Sequence, residues 1–117
     1  MIIVRMLKAV VLLLFSATMA NAADCALSTP YESGLCHYRT GDLNEAARLF
    51  EEIAIKGEQT PETIRSNYFL GRTLMKQKRW KEASNQFIRI YALSPTFYNE
   101  WACDFLLGEA RSASGEE

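Results

Sequence analysis

The sequence is poor in the residues that do chemistry: one histidine and three cysteines in 117 residues. No C-x-x-C, H-E-x-x-H, G-x-S-x-G or glycine-rich phosphate loop occurs in it. The common redox, zinc-protease, serine-hydrolase and nucleotide-binding signatures are therefore missing. Runs of β-branched residues alternating with polar ones are also lacking, so no strands are expected. Nor is charge of one sign in excess, since 13 Lys and Arg against 14 Asp and Glu give a net charge of −1. Such a balance lacks the basic footprint of a nucleic-acid binder, and no nucleic-acid partner is expected. The lone His37 adjoins Cys36, but neighbouring helical residues point about 100° apart, the wrong geometry for a Cys–His dyad. A zinc set of Cys25, Cys36, His37 and Cys103 would require the segment around Cys25 to converge with the distant helix that holds Cys103. No catalytic residue, metal or cofactor is assigned. A redox or metal-binding protein using Cys36 and His37 stays as an alternative.

What is present begins with an export signal. Arg5 and Lys8 precede an apolar run from Ala9 to Phe15, and small residues follow to Ala20-Asn21-Ala22. A basic n-region, a short apolar h-region and an A-x-A site read as a signal peptide over residues 1–22, cut after Ala22. The alternative is a retained anchor. Only fifteen residues separate Lys8 from Asp24, and Ser16, Thr18 and Asn21 are among them, whereas a span needs about 20 apolar ones. Lipidation is disfavoured because Asp24 stands directly before Cys25. Loss of Arg5 and Lys8 takes the net charge from −1 to −3. A periplasmic or secreted product is expected, in a compartment where its cysteines can pair.

All three prolines follow a hydroxyl residue: Thr29-Pro30, Thr60-Pro61 and Ser94-Pro95. Each pair fits a Ser/Thr N-cap with proline at the first helical position, where a missing N–H costs nothing. Glu32, three residues after Thr29, would complete a capping box. With turn signals at Gly41-Asp42 and Lys78-Arg79, five helices are expected, near 30–39, 43–56, 61–77, 80–93 and 96–111. Residues 23–29 form a leader and 112–117 a flexible tail.

"GDLNEAARLFEEI" (41–53) has a twin in "KRWKEASNQFIRI" (78–90). Leu43 aligns with Trp80, Glu45 with Glu82, Ala46 with Ala83, Phe50 with Phe87, Ile53 with Ile90 and, upstream, Gly34 with Gly71, all 37 residues apart. Self-similarity at this period, with a helix–turn–helix in each unit, is a repeat signature. The two units resemble the tetratricopeptide repeat (TPR) family, in which small residues, an aromatic and a terminal proline hold these positions. The better match is "FLGRTLMKQKRWKEASNQFIRIYALSP" (69–95). The resemblance implies an all-α fold, a short α-solenoid of two helix-turn-helix pairs (about 30–57 and 61–93) and a C-terminal capping helix at 96–111. Trp101, Phe105 and Leu106 or Leu107 would anchor that cap. Departures are the period of 37 rather than the family's 34, Lys78 in place of the turn glycine, and Ser33 and His37 where larger side chains are usual.

Charge is unevenly spread. Arg65 to Arg89 holds seven basic residues and one acid, while Asp24 to Glu62 holds eight acids and three bases. By the resemblance, the first helix of each pair lines a concave groove. Its residues here would be Tyr31, Leu35, Tyr38 and Arg39 in the first unit and Arg65, Tyr68, Arg72 and Lys76 in the second. Tyrosines beside arginines suit a protein or peptide of acidic and apolar character. The paired asparagines of the family's carboxylate clamp are missing, so C-terminal peptide capture is not expected. A solvated helix face is the plain alternative for the basic run. Folding the leader back would bring Cys25 to Cys36 at bridging distance, leaving Cys103 over. The expected function is a non-catalytic interaction module, an adaptor or scaffold of the bacterial envelope that meets the membrane only through its signal peptide. A structural homodimer through Cys103 or the last helix is the alternative.

Overall fold

A computed structural model describes residues 25–27 and 29–115. The expected signal peptide and its cleavage site lie outside these residues. Among them the protein is all-α, with no strand: α1 (Pro30–Thr40), α2 (Leu43–Ala54), α3 (Pro61–Lys76), α4 (Trp80–Leu93), α5 (Pro95–Glu100) and α6 (Cys103–Ala113). The Thr/Ser-Pro starts act as expected. Thr29, Thr60 and Ser94 each accept a hydrogen bond from the backbone N–H three residues on, at 3.2, 3.1 and 3.2 Å. Each satisfies a donor that the helix itself leaves open.

Two sharp turns reverse the chain in the same way. Asp42 donates its N–H to the His37 carbonyl and Arg79 to the Leu74 carbonyl, both at 2.9 Å. This six-to-one closure needs a left-handed residue just before the donor. Gly41 supplies it with φ 88°. Lys78, 37 residues later, supplies it with φ 62° and bears the strain of its Cβ.

Packing follows chain order, α1 on α2, α2 on α3, α3 on α4 and α4 on α6. Within each of the first two pairs the contact is an interlock. An ideal Cβ on Gly34 would stand 2.8 Å from Phe50 Cε1, and one on Gly71 2.8 Å from Phe87 Cζ. Phe50 and Phe87 are fully buried, as are Ala46 and Ala83 on the same helices. Each ring contributes about 1.5–3 kcal/mol by leaving water. Phe50 also stacks on Phe69 of the next pair, centroids 5.8 Å apart. Helix α3 is covered on both sides and uses small polar residues there. Ser66, Asn67 and Thr73 return hydrogen bonds to carbonyls four residues back, so their burial leaves those donors satisfied.

The expected single helix at 96–111 is two helices. Ala102 takes a left-handed φ of 52° between α5 and α6. The reason is a slip in the apolar phase. Phe97 and Trp101 are four apart, but the inward residues then resume at Cys103, Leu106, Leu107 and Ala110. One straight helix cannot aim both sets at the core. The break lets Trp101 stack on Phe97 at 4.6 Å and meet the edge of Tyr68 at 5.0 Å. Phe105, expected as an anchor, is 64% exposed. The helix also runs on through Ser112 and Ala113, expected as tail.

Gly71→Ala is expected to lower stability by about 2–3 kcal/mol through overpacking against Phe87. In urea unfolding, the loss should be less than additive with Phe87→Leu; full additivity would mean the two do not touch. Lys78→Gly should raise stability by about 0.5–1 kcal/mol by removing the left-handed Cβ, read as a higher midpoint with an unchanged slope.

Candidate partner-binding surface

Helices α1 and α3 both pack on α2 and touch each other, bringing aromatic and basic side chains together. Arg65 lies over the Tyr31 ring, 5.6 Å from its centroid. Arg72 lies 6.0 Å from Tyr38 and 5.7 Å from Tyr68, and donates Nη1–H to the Tyr68 hydroxyl at 3.3 Å. Lys76 Nζ sits 4.2 Å above Tyr38. Phe69 forms the floor, with its centroid 6.4 Å from Tyr31 and 5.7 Å from Tyr38, edge to face in both cases. Each such cation–π contact is worth about 0.5–1 kcal/mol when exposed and more when desolvated.

These cations keep their charge available. Arg48 is paired with Glu45 and Glu52, and Arg79 with Glu82. Arg65, Arg72 and Lys76 make no ion pair with a carboxylate among the described residues. Burial pulls the Arg72 guanidinium toward a lower pKa, but the hydrogen bond it donates to the Tyr68 hydroxyl and the nearby Tyr38 phenol outweigh it and leave the group above its ordinary value. It is a fixed positive charge.

Of the eight residues expected here, Tyr31, Tyr38, Arg65, Tyr68, Arg72 and Lys76 share one contact network. Tyr68 has a different part from the one expected. It is only 7% exposed, because α5 lays Phe97 and Trp101 against it. It supports Arg72 from beneath rather than offering its own ring. Leu35 and Arg39 line a cleft of about 340 Å³ with Leu27 and Cys36, beside the leader. Phe69 was not anticipated. At an offset of 37 it aligns with Glu32 and Leu106, so the repeat gives it no counterpart; its place next to Tyr68 is the available signal.

Cys25 and Cys36 are bonded, with Cα atoms 5.3 Å apart. Ser33 explains its own departure from a larger residue. Its hydroxyl accepts from Leu27 N–H at 3.0 Å and lies 3.4 Å from the Leu27 carbonyl, which pins the leader against α1. With Cys36 in a disulfide, no thiolate is left for a pairing with His37. The imidazole Nδ1 instead stands 3.5 Å from the Asp42 carboxylate across the turn. Among the described residues no cluster of His, Cys, Asp and Glu could hold a metal ion. Cys103 is the free thiol and is fully buried. Burial, with a smaller push from Asp104, raises its pKa to about 11. An intermolecular bridge through Cys103 would require α6 to leave its place, which counts against a Cys103-linked dimer.

Among the described residues no helix is long and apolar enough to cross a membrane. Compared with family models, curated proteins and solved structures, the chain matches none.

Cys36→Ser should cost about 2–3 kcal/mol, the closure entropy of a loop this short. A maleimide should label no thiol in the native wild type and one after denaturation without reductant. Labelling in the native state would show that Cys103 is accessible.

Proposed function

We propose that the protein is a non-catalytic interaction module, an adaptor or scaffold of the bacterial envelope that holds an acidic, partly apolar segment of a partner protein. The observation that carries this reading is the set of unpaired cations seated on rings, Arg65 on Tyr31 and Arg72 and Lys76 on Tyr38. A cation stacked on an aromatic but unpaired with an acid is already oriented, so less freedom is lost when a carboxylate arrives. Arginine can then fork onto the carboxylate while the rings pack apolar side chains.

The TPR-like reading is consistent with this. Its supports are the two Gly–Phe interlocks and the two equivalent turns, each recurring after 37 residues. In that reading α1–α2 and α3–α4 are the two pairs and α6 the cap, and the cation-bearing surface is the concave one. Export to the periplasm rests on the N-terminal pattern of Arg5, Lys8 and Ala20-Asn21-Ala22, with the Cys25–Cys36 bond in keeping with an oxidising compartment.

Arg65→Ala/Lys76→Ala should leave the melting temperature close to that of wild type, because both side chains are at least partly exposed. The same variant should lose acidic partners that wild type recovers by crosslinking in the envelope, with affinity down by about tenfold or more. Recovery of the same partners in the same yield would remove this surface from the account.

A further inference from the structure

The interlock has a third position. Gly108 follows Gly71 by the same 37 residues that separate Gly71 from Gly34. In α1 and α3 that glycine lies under a phenylalanine from the next helix, whereas at Gly108 an added Cβ would meet nothing within 4 Å. Its neighbours tell the same story. Asn67 and Tyr68 of α3 are 0% and 7% exposed, while their counterparts in α6, Asp104 and Phe105, lie open. The face is not flat. A cleft of about 660 Å³ runs along it, walled by Met75, Trp80 and Phe105 and floored by Gly108.

Charge selects the occupant. Asp104 and Glu109 edge the cleft, and neither makes an ion pair among the described residues. Glu109 stands where Arg72 stands in α3, so the sign has been inverted from one helix to the other. A second copy is the wrong guest. A two-fold axis that set Phe105 of one α6 on Gly108 of the other would set Asp104 against Glu109, acid facing acid.

We propose that this face of α6 docks a basic amphipathic helix of a partner protein, which seats a phenylalanine-sized ring on Gly108 and its basic residues against Asp104 and Glu109. The seat is the one that Phe50 and Phe87 fill inside the chain. It is distinct from the Tyr–Arg surface, takes the opposite charge and does not depend on that reading.

The chain supplies its own probes. A labelled peptide of residues 79–94 contains Phe87 with three basic residues and one acid, and a peptide of residues 42–56 contains Phe50 with four acids and two basic residues. Fluorescence anisotropy with the full chain should show saturable binding of the basic peptide. The acidic peptide, and the basic peptide with Phe87→Ala, should bind at least about tenfold more weakly. Gly108→Leu has open space for its side chain and a higher helix propensity than glycine, so it should fold and melt like wild type or above it. It should nevertheless lose the basic peptide by a similar factor. Asp104→Lys/Glu109→Lys should reverse the preference between the two peptides. The proposal is overturned by no binding, by binding that ignores Phe87 or charge, or by binding that survives Gly108→Leu. Self-association of wild type in sedimentation that Gly108→Leu abolishes would overturn it in favour of a second copy.

Discussion

The structure depends on how closely two helices can approach at a glycine. Because a Cβ on Gly34 or Gly71 would stand only 2.8 Å from an atom of a phenylalanine ring, the helix pairs are fixed in depth and register at once. Protein interiors accommodate little extra volume, and an interlock of this kind permits one arrangement rather than a range. The small Ala46 and Ala83 extend the same close approach along α2 and α4. The turn between the helices must then be short and sharply reversed, so it needs a left-handed residue at Gly41 and tolerates a strained one at Lys78.

That depth also sets the surface. Phe50 is pressed against Gly34 on one side and stacks on Phe69 on the other, so the interlock of the first pair positions the first ring of the second. Phe69 in turn supports Tyr31 and Tyr38 edge-on, and those rings hold Arg65, Arg72 and Lys76. The chain of contacts from Gly34 to the cations is continuous. Burial at its base is what allows unpaired charges at its top, because cations braced on rings do not need an internal acid to orient them.

Helix starts, the two equivalent turns and the interlocking residues were legible because each rests on local chemistry. A hydroxyl before proline has one good use, and a glycine opposite an aromatic at a fixed offset has few others. Cys25 and Cys36 were legible as a pair because the leader is too short to carry Cys25 far from α1. The break at Ala102 was less so. It arises from a phase slip between Trp101 and Cys103, which propensity alone does not weigh and which only the demands of α3 and α4 decide. The burial of Tyr68 follows from that break, so one missed boundary changed the part played by a site residue. Leu35 and Arg39 line a separate cleft for a different reason. The pinned leader builds its own cleft beside them, and nothing in a helical repeat anticipates a leader.

Charge then varies along a backbone pattern that repeats. Arg72 in α3 and Glu109 in α6 stand 37 residues apart with opposite sign, and the acids of α2 precede the bases of α3 and α4. Were every unit charged alike, equivalent ends of two molecules would offer each other the same seat with no penalty. With Asp104 and Glu109 beside Gly108, a symmetric contact brings acid to acid, while a foreign basic helix meets no such opposition. The glycine leaves a seat for an aromatic ring, and the acids around it decide whose ring that can be.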